Sequence, residues 1–254
     1  MTKNMALYAL GAVMLGIIGF VVGDFALQWQ PVPAALPLHA PLAYLSAALL
    51  AAGGSALLLP RSARVAALAL GCFYGLWTVL LHLPRVLAHV TDVSAWNGFA
   101  EITALAAGGF MGWTLCAADS SRQSRVGQAL VARVSRVAFG CCLLVFGIAH
   151  FVYADFTATM IPGWLPMPLF WAYFTGCGHL GAGISLVSGI AARLGSTLLA
   201  AMFACFVVLL HLPRVFANPT NRVEWTMLGI ATSLTGAAWI VRTAVARGRS
   251  SRRS

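Results

Sequence analysis

Eight stretches of nearly unbroken apolar sequence dominate this chain, beginning at Met5, Pro41, Val65, Trp96, Val137, Phe170, Leu194 and Val223. Their approximate limits are 5–23, 41–59, 65–83, 96–116, 137–154, 170–190, 194–212 and 223–241. A helix needs about 20 apolar residues to cross a hydrocarbon core. In lipid the backbone must satisfy its own hydrogen bonds, which leaves helices or closed barrels, and runs of this length read as helices. Only 9% of the 254 residues are charged and 60% are apolar, whereas soluble domains are about a quarter charged. That balance excludes an ordinary water-soluble enzyme. The expected fold is all-α and polytopic, with eight transmembrane helices and tight turns at 60–64 and 191–193.

The first run follows Lys3, as a secretory signal would, but its apolar stretch exceeds the ~7–15 residues of a signal core. Gly23-Asp24-Phe25 is also a poor cleavage site, so the run is read as a span. Lys and Arg near helix ends stay on the cytoplasmic side. With the N-terminus inside, thirteen cations fall on inner segments and only Arg85, Arg214 and Arg222 on outer ones. Both termini are therefore expected in the cytoplasm, with the protein in the inner (plasma) membrane. The net charge of +10 is then a matter of anionic lipid headgroups, and the bilayer rather than nucleic acid is the expected partner of the basic tail.

Leu81-His82-Leu83-Pro84-Arg85-Val86 recurs, 129 positions on, as Leu210-His211-Leu212-Pro213-Arg214-Val215. At the same offset Ala43-Tyr44 meets Ala172-Tyr173, Leu36-Pro37 meets Leu165-Pro166, Ala63-Arg64 meets Ala192-Arg193, and Trp96 meets Trp225. With a shift of two residues Asp24-Phe25 matches Asp155-Phe156. The landmarks spread over four helices and their loops, so the chain reads as two copies of a four-helix unit: 1–116, a basic cytoplasmic linker 117–136, 137–241, and a basic tail 242–254. An even number of spans per copy makes the repeats parallel, related by an axis along the membrane normal.

The second half reads Ala149-His150-Phe151, Asp155-Phe156, Ile161-Pro162-Gly163-Trp164-Leu165-Pro166, Tyr173-Phe174-Thr175-Gly176 and Ala191-Ala192-Arg193. On these motifs, and more weakly on the first half, each half resembles a DoxX-family membrane protein. Where that family often has an acidic residue after the Thr-Gly step, this chain reads Cys177-Gly178-His179. The resemblance implies a four-helix bundle per half and an association with respiratory or redox assemblies, including quinone-linked ones.

Ionisable residues inside a bilayer are costly and usually face a functional interior. His82 and His211 fall about one turn from the outer ends of their helices. Pro84 and Pro213, lacking a backbone donor, are expected to kink or end those helices, letting Arg85 and Arg214 emerge at headgroup level. One reading is purely structural, with Arg snorkelling to phosphates. The functional reading is a pair of symmetry-related His-Arg sites, with Asp24 and Asp155 as partners, able to hold the carbonyl oxygens of a quinone head group. Bis-His haem between His82 and His211 is disfavoured, because no second matched His pair supports it. Glu101 and His179, unmatched in the repeat, are either buried polar groups satisfied by each other or by Ser and Thr nearby or, with His150, a proton path to the outer site; Glu224 reads as interfacial. The six cysteines form no Cys-x-x-Cys and read as small packing residues, and no metal-ligand cluster stands out.

Together with the association that the DoxX resemblance implies, these residues make a quinone-interacting, redox-associated membrane component, with a respiratory or redox partner subunit, the leading expectation. A proton or small-solute transporter using the interface of the repeats and a non-catalytic scaffold remain the alternatives.

Overall fold

The computed structural model describes residues 2–116 and 122–250. It is 84% helical and without strands among those residues. The helices are α1 (Ala6–Val22), α2 (His39–Leu57), α3 (Ala63–Trp77), α4 (Leu83–Ala88), α5 (Val93–Leu115), α6 (Arg122–Val152), α7 (Ala154–Met160), α8 (Pro168–Ser188), α9 (Ala192–Cys205), α10 (Leu212–Ala217) and α11 (Arg222–Ser250).

Among the described residues six stretches are long and apolar enough to cross a membrane: Lys3–Val22, His39–Leu57, Ala63–Ala88, Arg125–Val152, Ala192–Ala217 and Arg222–Arg247. Large apolar side chains such as Val21, Val65, Ile190 and Phe216 point outward, a surface that water would not tolerate at this extent. The chain is a membrane protein. The other two expected spans, 96–116 and 170–190, fall on α5 and α8. Both are long enough, at 23 and 21 residues, but less apolar, because they carry Asn97 and Glu101 in one case and His179 among several glycines in the other.

Four expected boundaries shift. The helices do not end at His82 and His211. Each passes through a π-helical stretch, Thr78–His82 or Phe206–His211, and continues as α4 or α10. A proline cannot donate to the carbonyl four residues back, and a wide π turn absorbs the loss without breaking the rod. Residues 122–136 of the expected linker are helical and begin α6, and residues 242–250 extend α11. Positions 117–121 and 251–254 of the linker and tail lie outside the described residues.

Local structure repeats along with the sequence. Asp92 accepts the Ser94 backbone N–H at 2.8 Å to cap α5, and Asn221 accepts that of Val223 at 2.9 Å to cap α11, the standard use of a short polar side chain at a helix start. The Trp96 indole donates to the Val90 carbonyl as Trp225 does to Pro219. Leu38 and Met167 precede α2 and α8 with φ of 59° and 58°.

Neighbouring helices close a ring in the order α1, α2, α3, α5, α6, α8, α9, α11 and back to α1, and α5 also touches α11 across the middle. Two lobes result, sharing the α5–α11 wall: one enclosed by α1, α2 and α3, the other by α6, α8 and α9. The start of α1, the end of α5 and the end of α11 meet at one pole, where Cys116 approaches Met5 and Arg247 donates to the Leu115 carbonyl. The π turns lie toward the opposite pole.

Candidate functional site

A cavity of about 610 Å³ opens toward the pole opposite the termini, lined by the C-terminal ends of α6 and α9, the two π stretches, α7, the N-terminal halves of α5 and α11, the middle of α8, and residues 28–29. Its inner wall is aromatic and aliphatic, with Phe146, Phe203, Phe206, Leu210, Ile230 and Leu234. A mostly apolar concavity with a few converging polar groups is the usual form of a small-molecule site.

The polar groups come from both halves. His82, 1% exposed, places Nε2 3.0 Å from the Trp29 carbonyl oxygen. A carbonyl only accepts, so Nε2 carries the proton and Nδ1 is left with a lone pair. That edge lies against Gly98, where a Cβ would come within 3.2 Å of Nδ1. The absence of a side chain at 98 makes room for the imidazole. The same Trp29 donates its indole N–H to Glu101 Oε2 at 2.6 Å, and Asn97 donates to Glu101 Oε1 at 3.2 Å. Trp29 is thus strapped by its backbone to His82, in the π stretch that follows α3, and by its ring to α5.

In the second half His150 donates from Nδ1 to the Phe146 carbonyl at 2.8 Å, leaving Nε2 as an acceptor. Its ring lies 4.8 Å, centroid to centroid, from that of His179. His179 is otherwise framed by Phe146, Phe203 and Phe206. Among the described residues the Nδ1 atoms of His179 and His211 are buried with no hydrogen-bond partner. Buried polar atoms are nearly always paired, so two orphaned imidazole nitrogens in one cavity mark groups free to meet a ligand. At the rim Arg214 makes a two-pronged pair with Glu224, Nε to Oε2 at 2.9 Å and Nη2 to Oε1 at 2.8 Å.

His82, Arg85, His211 and Arg214 therefore line one shared cavity instead of forming two separate sites, and Glu101, His150 and His179 line it as well. The expected carboxylate partners do not join them. Asp24 bonds Arg222 at 3.0 Å and sits 3.8 Å from His39, and Arg222 also donates to the Phe25 carbonyl. The cause is reach: the 24–30 segment turns toward the start of α11, putting Asp24 beside a guanidinium there. Burial pushes the Asp24 carboxyl up, but the Phe25 backbone N–H and Arg222 outweigh it and hold the carboxyl below its ordinary range. Asp155 is exposed and makes no ion pair among the described residues. Glu101 and His179 do not satisfy each other, since Trp29 and Asn97 occupy the Glu101 oxygens.

Sequence reading missed Trp29 and Asn97 and placed Glu224 at the interface. Glu224 carried a usable signal, being an acid one turn into a helix with Arg214 ten residues before it; Trp29, in an irregular segment, carried none. Among the described residues no group of three or more His, Cys, Asp or Glu could hold a metal ion, and the cysteines are free.

Residues 139–242, which hold most of the cavity wall, match the model of a family described as a domain of unknown function (DUF8561). No curated protein and no solved structure matches the chain.

Proposed function

We propose that this is an inner-membrane protein of eight spans, two like-oriented four-helix repeats with both termini in the cytoplasm, whose cavity binds the head group of a quinone-class molecule within a redox assembly. The observation that carries this reading is the pair of partnerless nitrogens on His179 and His211, set in an aromatic-walled cavity of about 610 Å³. A quinone presents flat apolar faces to such walls. Its oxygens accept from a protonated imidazole nitrogen, and the hydroxyls of its reduced form donate to an unprotonated one. His82 Nδ1 and His150 Nε2 offer further lone pairs. The resemblance of each half to DoxX-type bundles points the same way.

Quenching of tryptophan fluorescence by 1,4-naphthoquinone, titrated into the purified protein in detergent, tests the assignment. Saturable binding is expected, weakened at least about tenfold in His179→Leu and His211→Leu, the scale of one lost buried hydrogen bond. Non-saturable quenching that is the same in all three proteins overturns it. A proton-transport reading is favoured by one observation, that Glu101, His150 and His179 share this cavity. Proton flux into liposomes that is abolished by Glu101→Gln and indifferent to naphthoquinone would select it.

A further inference from the structure

The two arginines at the rim are sequence twins in unlike surroundings. Arg214 is neutralised by Glu224 through two hydrogen bonds. The repeat partner of Glu224, 129 positions back, is Ala95, so Arg85 has no equivalent carboxylate. Arg85 is exposed and lines the cavity, as do Gln28, Ser94, Ala95 and Asn97. Among the described residues it makes no ion pair. The other carboxylate of the cavity, Glu101, has both oxygens engaged by Trp29 and Asn97.

We infer that the cavity selects a ring compound bearing an acidic oxygen, a vinylogous acid or a carboxylate, whose negative charge is received by Arg85. This rests on the quinone-class reading and specifies it further. A guanidinium offers a planar fork of donors suited to a delocalised anion. At the edge of a low-dielectric cavity a charge-assisted contact of this kind gains strength over one in water. The apolar body of the ligand then lies against Phe146, Phe203 and Phe206, with the histidines reaching its remaining oxygens. The first half leaves a cation open where the second half has closed one, and only the open one can recognise a charge.

The experiment compares neutral 1,4-naphthoquinone with 2-hydroxy-1,4-naphthoquinone, a vinylogous acid that is anionic at neutral pH, on wild type, Arg85→Gln and Ala95→Glu. The second variant installs in the first half the carboxylate that the second half already has. Wild type is expected to bind the acid at least about tenfold tighter than the neutral ring, the scale of one charge-assisted hydrogen bond. Both variants are expected to erase that preference, binding the acid within about threefold of the neutral ring, which is less than half of one such bond. Equal binding of the two probes by wild type, or an acid preference that survives in Arg85→Gln, overturns the inference and leaves Arg85 to lipid headgroups. Failure of both probes to bind wild type overturns the cavity reading itself, a distinguishable result.

Discussion

The lobe enclosed by α1, α2 and α3 and the lobe enclosed by α6, α8 and α9 descend from one sequence pattern, yet the first retains a void of about 10 Å³ and the second opens into about 610 Å³. A void of the smaller size has room for roughly one water. The small void is lined by Leu15, Gly19, Ser46 and Leu50. Their repeat counterparts are Phe146, His150, Thr175 and His179, all of which line the large cavity. The closed lobe is therefore the same place with different side chains. Where Leu50 fills space, His179 leaves an unpaired nitrogen. Gln30 and Ser46 bond each other across the closed lobe at 2.9 Å, a pair the open lobe does not reproduce. The repeat thus closes one lobe with packed side chains and leaves the other open, while first-half residues such as His82 and Arg85 also line the open cavity.

The repeats also differ at one contact between their first and second helices. Gly16 on α1 lies against α2, where a Cβ would fall 2.6 Å from the Ala51 nitrogen and 2.7 Å from the Ala47 oxygen. Its counterpart Gly147 faces a side chain first, with Leu180 Cδ2 at 2.5 Å, and backbone only at 3.1 Å. Backbone cannot yield as a leucine can. Gly16→Ala is expected to cost about 3 kcal/mol and Gly147→Ala about 1 kcal/mol, within the overpacking range, as read by denaturant titration of the purified protein in detergent. Equal costs would mean that the two helix pairs are equally close, contrary to this contrast.

A next test concerns the rim. Glu224→Gln leaves Arg214 half-buried without its carboxylate and should cost about 1–2 kcal/mol, discounted from the fully buried case because Arg214 is 38% exposed. Arg85→Gln, with no pair to break, should change stability by less than about 0.5 kcal/mol. A comparable loss in both would show that Arg85 has a partner in the folded state.

Exchanging the residues that distinguish the lobes sharpens the comparison in a third way. His179→Leu, which installs the first-half residue, removes an orphaned buried nitrogen and should leave stability unchanged or raise it by about 1 kcal/mol. Leu50→His should lower it by about 2 kcal/mol, because it buries a polar ring in a closed lobe. Thermal melts of the two single variants decide the matter, and destabilisation by His179→Leu would assign that ring a structural role.

The smallest effect is expected at the loops. The native carboxyl of Asp24 is held below its unfolded value, chiefly by the Phe25 N–H and Arg222 against the opposing pull of burial. Its contribution is therefore present above the ordinary carboxylate pKa and is lost as pH falls through the lowered native one. Because Asp24 is 42% exposed, that contribution is under about 1 kcal/mol. Asp24→Asn should flatten the acid side of the stability profile slightly, and Asp155→Asn, at the unpaired counterpart, should leave it as it is.

Much of the helix pattern could be read directly, because length and apolarity are properties of contiguous sequence. The twin His-Pro-Arg motifs likewise announced matched helix segments. Their π turns were less legible: a proline says that a hydrogen bond is missing but not whether the helix ends or widens, which the surrounding helices settle. The less apolar character of α5 and α8 was present in Glu101, Asn97 and His179, yet its meaning required knowing that these residues line one cavity. Trp29 was invisible as a site residue, since its two bonds reach 53 and 72 positions along the chain.

By itself the sequence determined an all-helical membrane protein with a repeated His-Pro-Arg signature, because apolar length and local periodicity act over a few turns of one helix. Tertiary structure alone decided that the two signatures face one cavity, that Asp24 serves Arg222, and that one lobe closes while the other stays open. Those outcomes depend on which side chains meet across helices distant in sequence, and on whether a glycine there confronts rigid backbone or a leucine able to turn aside.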